Sequence, residues 1–196
     1  MSRTASVDDR ALLASLAAVF RAQGYSGASL AALSDATGLQ KASLYHRFPG
    51  GKPAMAAAVL SDVGRTFAEV LEPLTAIESP AAAVAEMARR VSSAYADGRV
   101  GCVLDTMTLE GAPTAVKDQA AGLARHWIDA MTQVAARSGA DEEEAARRAR
   151  SALVSIEGAL VVSRVLGEPS EFDRAIEALP ALLTGTTGET DRGTAR

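Results

Sequence analysis

The 196-residue chain has one cysteine, Cys102, so no disulfide can form within it, and only two histidines, His46 and His126. A lone thiol fits a reducing compartment. No HExxH zinc motif and no GxSxG nucleophile elbow occurs in the sequence. The segment PGGKP superficially resembles a phosphate-binding loop, but His46 stands at the first loop glycine and Pro53 at the required Ser or Thr. Catalytic residues, metal ligands and cofactors are therefore not expected. No run of 18 uninterrupted apolar residues is present, and the first 20 residues carry Arg3, Asp8, Asp9 and Arg10 in place of a signal-peptide core. A cytoplasmic protein without membrane segments is the expectation.

Strand patterns are lacking too, and Gly and Pro punctuate a series of helices. Ser6 with Asp9 forms a capping box opening a first helix that ends at Gln23, before Gly24. Pro53 suits the first turn of a helix reaching about Leu71, where Pro73 stops it. Pro80 opens a helix to about Ala96, and an irregular stretch covers Gly101 to Pro113. A helix then runs to Arg137, Asp141 and Glu144 box the start of a long helix to Leu166, and Ser170 caps a last one ending near Thr184. The tail from 185 to 196 is polar and glycine-containing, and is expected to be disordered.

Residues 24 to 52 carry the clearest signal. Ser29 can cap a helix to Thr37, Gly38 permits a sharp turn, and Gln40 to Phe48 form a second helix of under three turns. At about 100° per residue, Leu44 and Phe48 fall on one side, where they can bury against Leu30 and Leu33. Ala42 and His46 point the opposite way, flanked by Ser43 and Tyr45. Such a face suits a nucleic-acid groove: Ala42 permits close approach, Ser43 and Tyr45 offer hydroxyls to phosphate, and His46 offers a ring nitrogen. Gln40 and Lys41 lie at the end that enters the major groove in helix-turn-helix docking. Lys52 follows the glycine pair, where its ammonium can meet a phosphate together with the amides of the next helix start. A solvated helical hairpin is the alternative.

The net charge of −4 argues against DNA only until its distribution is read. Residues 1 to 52 hold six basic and three acidic residues, a balance of +3, whereas the remainder holds 14 basic and 21 acidic residues, or −7. A basic tip on an acidic body can engage phosphates with one surface only, and its binding would be strongly salt dependent.

The segment ASLAALSDATGLQKASLYHRFPGGK resembles the operator-binding signature of TetR-type transcriptional regulators, with Leu12, Leu13, Phe20, Gly24 and Tyr25 extending the match. The PGGK ending, GCVLDTMTLE and EGALVVSR also resemble one subgroup, with an HHFPGGK-like ending to its recognition helix, whose relatives include repressors of drug-efflux and flavonoid-responsive genes. Ala32, Gln40 and Arg47 depart from the usual pattern, where an acid, Ser and a second His are common. The resemblance implies an all-α fold: a three-helix DNA-binding head at 1–52, with Ser29 and Arg47 joining the DNA-facing set, and a helical ligand-binding and dimerisation lobe at 53–184. It implies a ligand-responsive repressor, not an enzyme. Its partners would be a near-palindromic double-stranded operator, a small hydrophobic effector and a second copy of the chain.

In the long helix, Leu153, Ile156, Ala159, Leu160 and Ser163 form one stripe, and Ile176, Leu179, Leu182 and Leu183 form another on the last helix. The stripes either fill the subunit's own core or make a four-helix interface; the resemblance favours a homodimer. Gly158 costs roughly 1 kcal/mol in a helix interior relative to Ala, so close backbone approach is a reason to keep it. Met87, Val91, Cys102, Leu104, Met107, Trp127 and Met131 are adaptable or aromatic residues that could line an effector cavity. At any one of these positions ordinary packing is the favoured reading over that role, and Cys102 reads first as a small buried hydrophobe, with a thiol sensor or a ligand contact as the alternatives. Glu157 reads as a rim salt bridge with Arg164 or as a ligand contact, and His126 as solvent-facing.

Overall fold

The computed structural model describes residues 9–185, so Ser6 of the expected first capping box and the tail from 186 onward lie outside the described residues. Within them the chain forms ten helices and no strand: α1 Asp9–Gly27, α2 Leu30–Thr37, α3 Lys41–Arg47, α4 Gly51–Leu71, α5 Pro73–Ala76, α6 Pro80–Ala94, α7 Val103–Thr108, α8 Thr114–Arg137, α9 Glu142–Leu166 and α10 Ser170–Thr184. None of the described helices is long and apolar enough to cross a membrane.

Most boundaries follow local chemistry. Gly24 breaks α1 with φ 67° and ψ 177°, after which the chain makes one further turn to Gly27, beyond the Gln23 end expected from sequence. An added Cβ at Gly24 would lie 3.0 Å from the Thr106 carbonyl oxygen, so α7 comes close to the chain at a position without a side chain. The stretch around Gly101 to Pro113 is thus not wholly irregular: it contains α7. Pro73 does end α4, but it also opens the single turn α5, whose missing N–H is harmless at a first helical position. Asp141 caps α9 by accepting from the Glu144 N–H at 2.9 Å.

The cap expected from Ser170 is a correction. Pro169 stands at the cap position without a side-chain bond, and Ser170 is the first helical residue. The N-terminal amide of Phe172 is satisfied from a different helix: it donates to Oγ of buried Ser163 at 3.2 Å.

The chain packs as two compact units, Met1–Phe67 with Cys102–Ala124, and Ala68–Gly101 with Arg125–Arg196. In the first, Leu12, Leu16, Phe20, Leu33, Leu44, Met55 and Leu60 share a core with Val103, Met107, Val116 and Ala120. Residues of α4, α7 and the first part of α8 complete the core begun by the three N-terminal helices. This packing division differs from the functional boundary expected at residue 52. Gln119 adds a polar tie, donating to the Ala57 carbonyl and to Ser61 Oγ, both at 3.1 Å.

In the second unit, Phe172 is fully buried and meets Tyr95 edge-on, with ring centroids 6.2 Å apart. Gly98 (φ 79°) passes so near that an added Cβ would sit 2.8 Å from Phe172 Cβ. Arg137 binds three carbonyls around the end of α5, those of Leu74, Ile77 and Glu78. Arg90 links α6 to the end of α4 through the Glu69 carbonyl and the Glu72 carboxylate, and also pairs with Glu86. Hydrogen bonds from Arg89 and then Arg90 hold the Glu86 carboxyl down at about 2.

Two outcomes follow from these contacts. Ser163→Ala should cost about 1–2 kcal/mol in urea unfolding by orphaning a buried N–H, whereas Ser170→Ala should change stability by under ~0.5 kcal/mol. Because the folded carboxyl of Glu86 titrates far below its ordinary 4.5, its stabilisation is present above pH 4.5 and is lost as pH falls from there toward 2. Glu86→Gln should therefore flatten the stability profile over that window and leave the profile above it parallel to the wild type, as read by thermal melts at stepped pH.

Candidate nucleic-acid interface

The turn between α2 and α3 is tightly specified. Ser29 Oγ accepts from the Ala32 N–H at 3.1 Å, so this hydroxyl acts as a cap, and Ala32 has no side chain to return the bond. Thr37 Oγ1 donates to the Leu33 carbonyl at 2.8 Å, and Ser34 Oγ donates to the Leu39 carbonyl at 2.5 Å. Gly38 adopts φ 67° and ψ 10°, and nothing lies within 4 Å of an added Cβ, so glycine is required there for conformation and not for space.

The seven-residue α3 is oriented by Leu44, which is 0% exposed, with Phe48 half-buried beside the same core. Burying that one side sends the others out. Gln40, Lys41, Ala42, Ser43, Tyr45, His46 and Arg47 are all exposed, as expected from the helical spacing. Gln40 occupies the cap position without a side-chain bond, so its amide is not spent on the helix start.

Two basic residues are more constrained than the sequence suggested. Arg47 pairs with Asp9 at the start of α1, an exposed ion pair of little intrinsic strength. Lys52 turns inward: Nζ donates to the Tyr25 carbonyl at 2.9 Å and the Ser26 carbonyl at 3.4 Å, and lies 4.7 Å from the centroid of the Tyr25 ring. Burial pushes the Tyr25 phenol up from its ordinary value. Next to Lys52, Gly51 has φ 65°, and an added Cβ would come within 3.2 Å of Tyr45 Cε1. That close approach lets the 49%-exposed Tyr45 ring lie beside the start of α4.

The seven effector candidates fall into both units. Met87, Val91, Trp127 and Met131 are buried in the second unit, while Cys102, Leu104 and Met107 belong to the first, with Met107 in its core. Of the interface candidates, Ile156, Ala159, Leu160, Leu179 and Leu183 are buried within the subunit; Leu153, Ile176 and Leu182 are half-buried. Gly158 is exposed, with nothing near an added Cβ. Sequence reasoning missed a second stripe on α9: Val154 is 71% and Val165 77% exposed, and Val161, Val162 and Leu166 are also open. Its signal was there, since residues 154, 158, 161 and 165 recur at helical spacing opposite Ile156 and Leu160.

Comparison with known proteins gives the same architecture. A family profile described as "Transcriptional regulator LmrA/YxaF-like, C-terminal domain" matches residues 73–178, and one described as "Bacterial regulatory proteins, tetR family" matches 12–59. A TetR transcriptional regulator from Legionella pneumophila superimposes with a TM-score of 0.79 at 20% identity, covering 91% of this chain and 96% of that one. A TetR-family regulator from Cytophaga hutchinsonii gives 0.70 at 25% identity, with 92% and 95% covered. The TetR-family regulator CifR, as a cysteine mutant complexed with 26-bp double-strand operator DNA, gives 0.73 at 24% identity, with 95% and 100% covered. No curated protein matches the chain.

The turn offers a direct check. Gly38→Ala should destabilise the first unit by about 1–2 kcal/mol through the left-handed backbone alone, and Leu44→Ala by about 2–5 kcal/mol through the lost burial. Urea unfolding measures both, and equal costs at Gly38 and at an exposed α3 site such as Ser43→Ala, expected to change stability by under ~0.5 kcal/mol, would contradict this account of the turn.

Proposed function

We propose that this chain, which belongs to the TetR family of transcriptional regulators, is a cytoplasmic homodimeric repressor that holds a near-palindromic operator and releases it when a small hydrophobic molecule binds. That it is a DNA-binding regulator and not an enzyme follows from the family. The dimer, the effector and repression are the further steps. The narrower subgroup likeness rests on PGGK, GCVLDTMTLE and EGALVVSR, and the last two segments fall inside the C-terminal match.

One observation carries the reading: α3 buries Leu44 and leaves a continuous face of small, hydroxyl-bearing, imidazole and basic groups open. We assign Gln40 and Lys41 to base edges and phosphate at the helix start, Ala42 to close approach, Ser43 and Tyr45 to phosphate oxygens, and His46 and Arg47 to the far end of the contact. Ser29 acts through its cap. One such helix reads few bases. Two copies about 34 Å apart read inverted half-sites in successive major-groove turns.

The open stripe of Val154, Gly158, Val161 and Val165 supports the dimer, because an apolar helix face of this kind on a subunit surface marks an interface. Gly158 would let the partner backbone come close. Met87, Val91, Trp127 and Met131 support the effector reading as adaptable or aromatic apolar residues buried in one unit. A ligand there acts only through unequal affinity for two conformations, and a coupling of about 1–3 kcal/mol changes operator affinity ~5 to 150-fold.

Selection from a random duplex library tests this reading, followed by light scattering and binding titrations. The expected result is enrichment of an inverted repeat, a dimer in solution, and affinity that falls steeply with salt. Val165→Glu should give a folded monomer with operator affinity down by about 10²-fold or more, since both half-sites are then no longer read together. Failure to enrich any sequence, or a wild-type monomer that reads a single half-site, would overturn it.

A further inference from the structure

We propose that Lys52 is a positioning residue: its ammonium holds the end of α1 against the start of α4, and so fixes the Tyr45 end of the reading helix, instead of neutralising a DNA phosphate. The proposal rests on the DNA-reading function above and sharpens it by assigning a basic residue at the edge of the interface to internal work.

Four observations converge on this. The break at Gly24 leaves a final turn of α1 ending at Gly27, and carbonyls at the end of a helix point outward and carry the negative pole of its dipole. Lys52 Nζ binds two carbonyls of that turn, those of Tyr25 and Ser26. The ammonium also lies 4.7 Å from the centroid of the Tyr25 ring, itself stacked on Phe20 with centroids 6.2 Å apart and planes within 7°. Two of its three donors are taken by the carbonyls, so a phosphate would compete with these contacts for the charge.

The neighbouring residues explain what the anchor fixes. Gly51 precedes Lys52, donates its N–H to the Phe48 carbonyl at 2.8 Å and lies against the Tyr45 ring. Ser26, on the other side, donates its hydroxyl to the Glu110 carbonyl at 2.8 Å, and Gly111 is packed against that hydroxyl. Tyr45, the α4 start, the end of α1 and the 109–111 turn are thus joined within one unit, with Lys52 as the charged link.

The experiment has two arms. In the DNA-free protein, Lys52→Met should shift the amide signals of Tyr45, Gly51 and Tyr25 in two-dimensional NMR, and leave those of α9 in place. Unchanged Tyr45 and Gly51 signals would overturn the proposal. In the second arm, the duplex selected by the wild type and a scrambled duplex are titrated at several salt concentrations. Lys52→Met should weaken operator binding about tenfold while changing scrambled binding under ~2-fold, with the slope of log affinity against log salt kept within ~0.3 of wild type. Lys41→Met is the contrast, expected to lower the slope by about 1.8, one phosphate contact being lost from each of the two subunits.

Equal loss on both duplexes with that same drop in slope for Lys52→Met would make Lys52 a phosphate contact and overturn the proposal. Should Lys52→Met fold poorly, Lys52→Gln keeps a donor without the charge. It should retain most operator affinity if Lys52 positions, and lose it with the slope if Lys52 binds phosphate. A wild type that binds no duplex would refute the DNA-reading function separately, and the DNA-free arm would still decide the role of Lys52.

Discussion

A seven-residue helix cannot hold itself in water, because the few hydrogen bonds it gains do not offset the cost of nucleating it. Helix α3 exists because Leu44 is driven into the core beside Leu33, and because Gly38 lets the chain turn sharply enough to bring it there. Every outward group on α3 inherits its direction from that one burial. The exposed face is thus a by-product of hydrophobic packing and helical period before it is a binding surface. Its composition is what makes it suitable for DNA, since the groups that meet water are the ones a groove and its phosphates can use.

The core that holds Leu44 is not confined to the first helices. Val103, Met107, Val116 and Ala120, from the middle of the chain, complete it, and the Thr106 carbonyl lies where a side chain on Gly24 would stand. A close-packed core transmits displacement because it has little free space to absorb it. Residues expected to belong to an effector lobe, Leu104 and Met107, therefore bear on the helices that carry the reading face. Under the proposed function, that continuity is the route by which a bound effector would bear on the operator-facing helices.

Features set by a few neighbouring residues were legible in the sequence. The Ser29 cap, the Gly38 turn and the Asp141 cap depend on residues within four positions of one another, and the inward side of α3 was readable from the helical period of Leu44 and Phe48. Features set at a distance were not. Lys52 finds its partners 26 and 27 residues away, and spacing alone cannot say that an ammonium turns toward Tyr25 and Ser26 in preference to solvent. Phe172 draws its cap from Ser163 on the preceding helix, which made Ser170 the plausible but incorrect choice. On α9 both sides are apolar, so periodicity found a stripe correctly and could not tell which stripe faces in. The buried choice went to Ile156 and Leu160, and the open one to Val154 and Val165.

The outward face of α3 is the claim on which the regulator reading stands, and amide chemical-shift mapping of the full chain against its selected duplex tests it most directly. The account predicts that the largest changes fall on Gln40 to Arg47 and the start of α4, with the buried Leu44 side chain unmoved. Perturbations concentrated on α9 or α10, with those α3 signals unchanged, would contradict it.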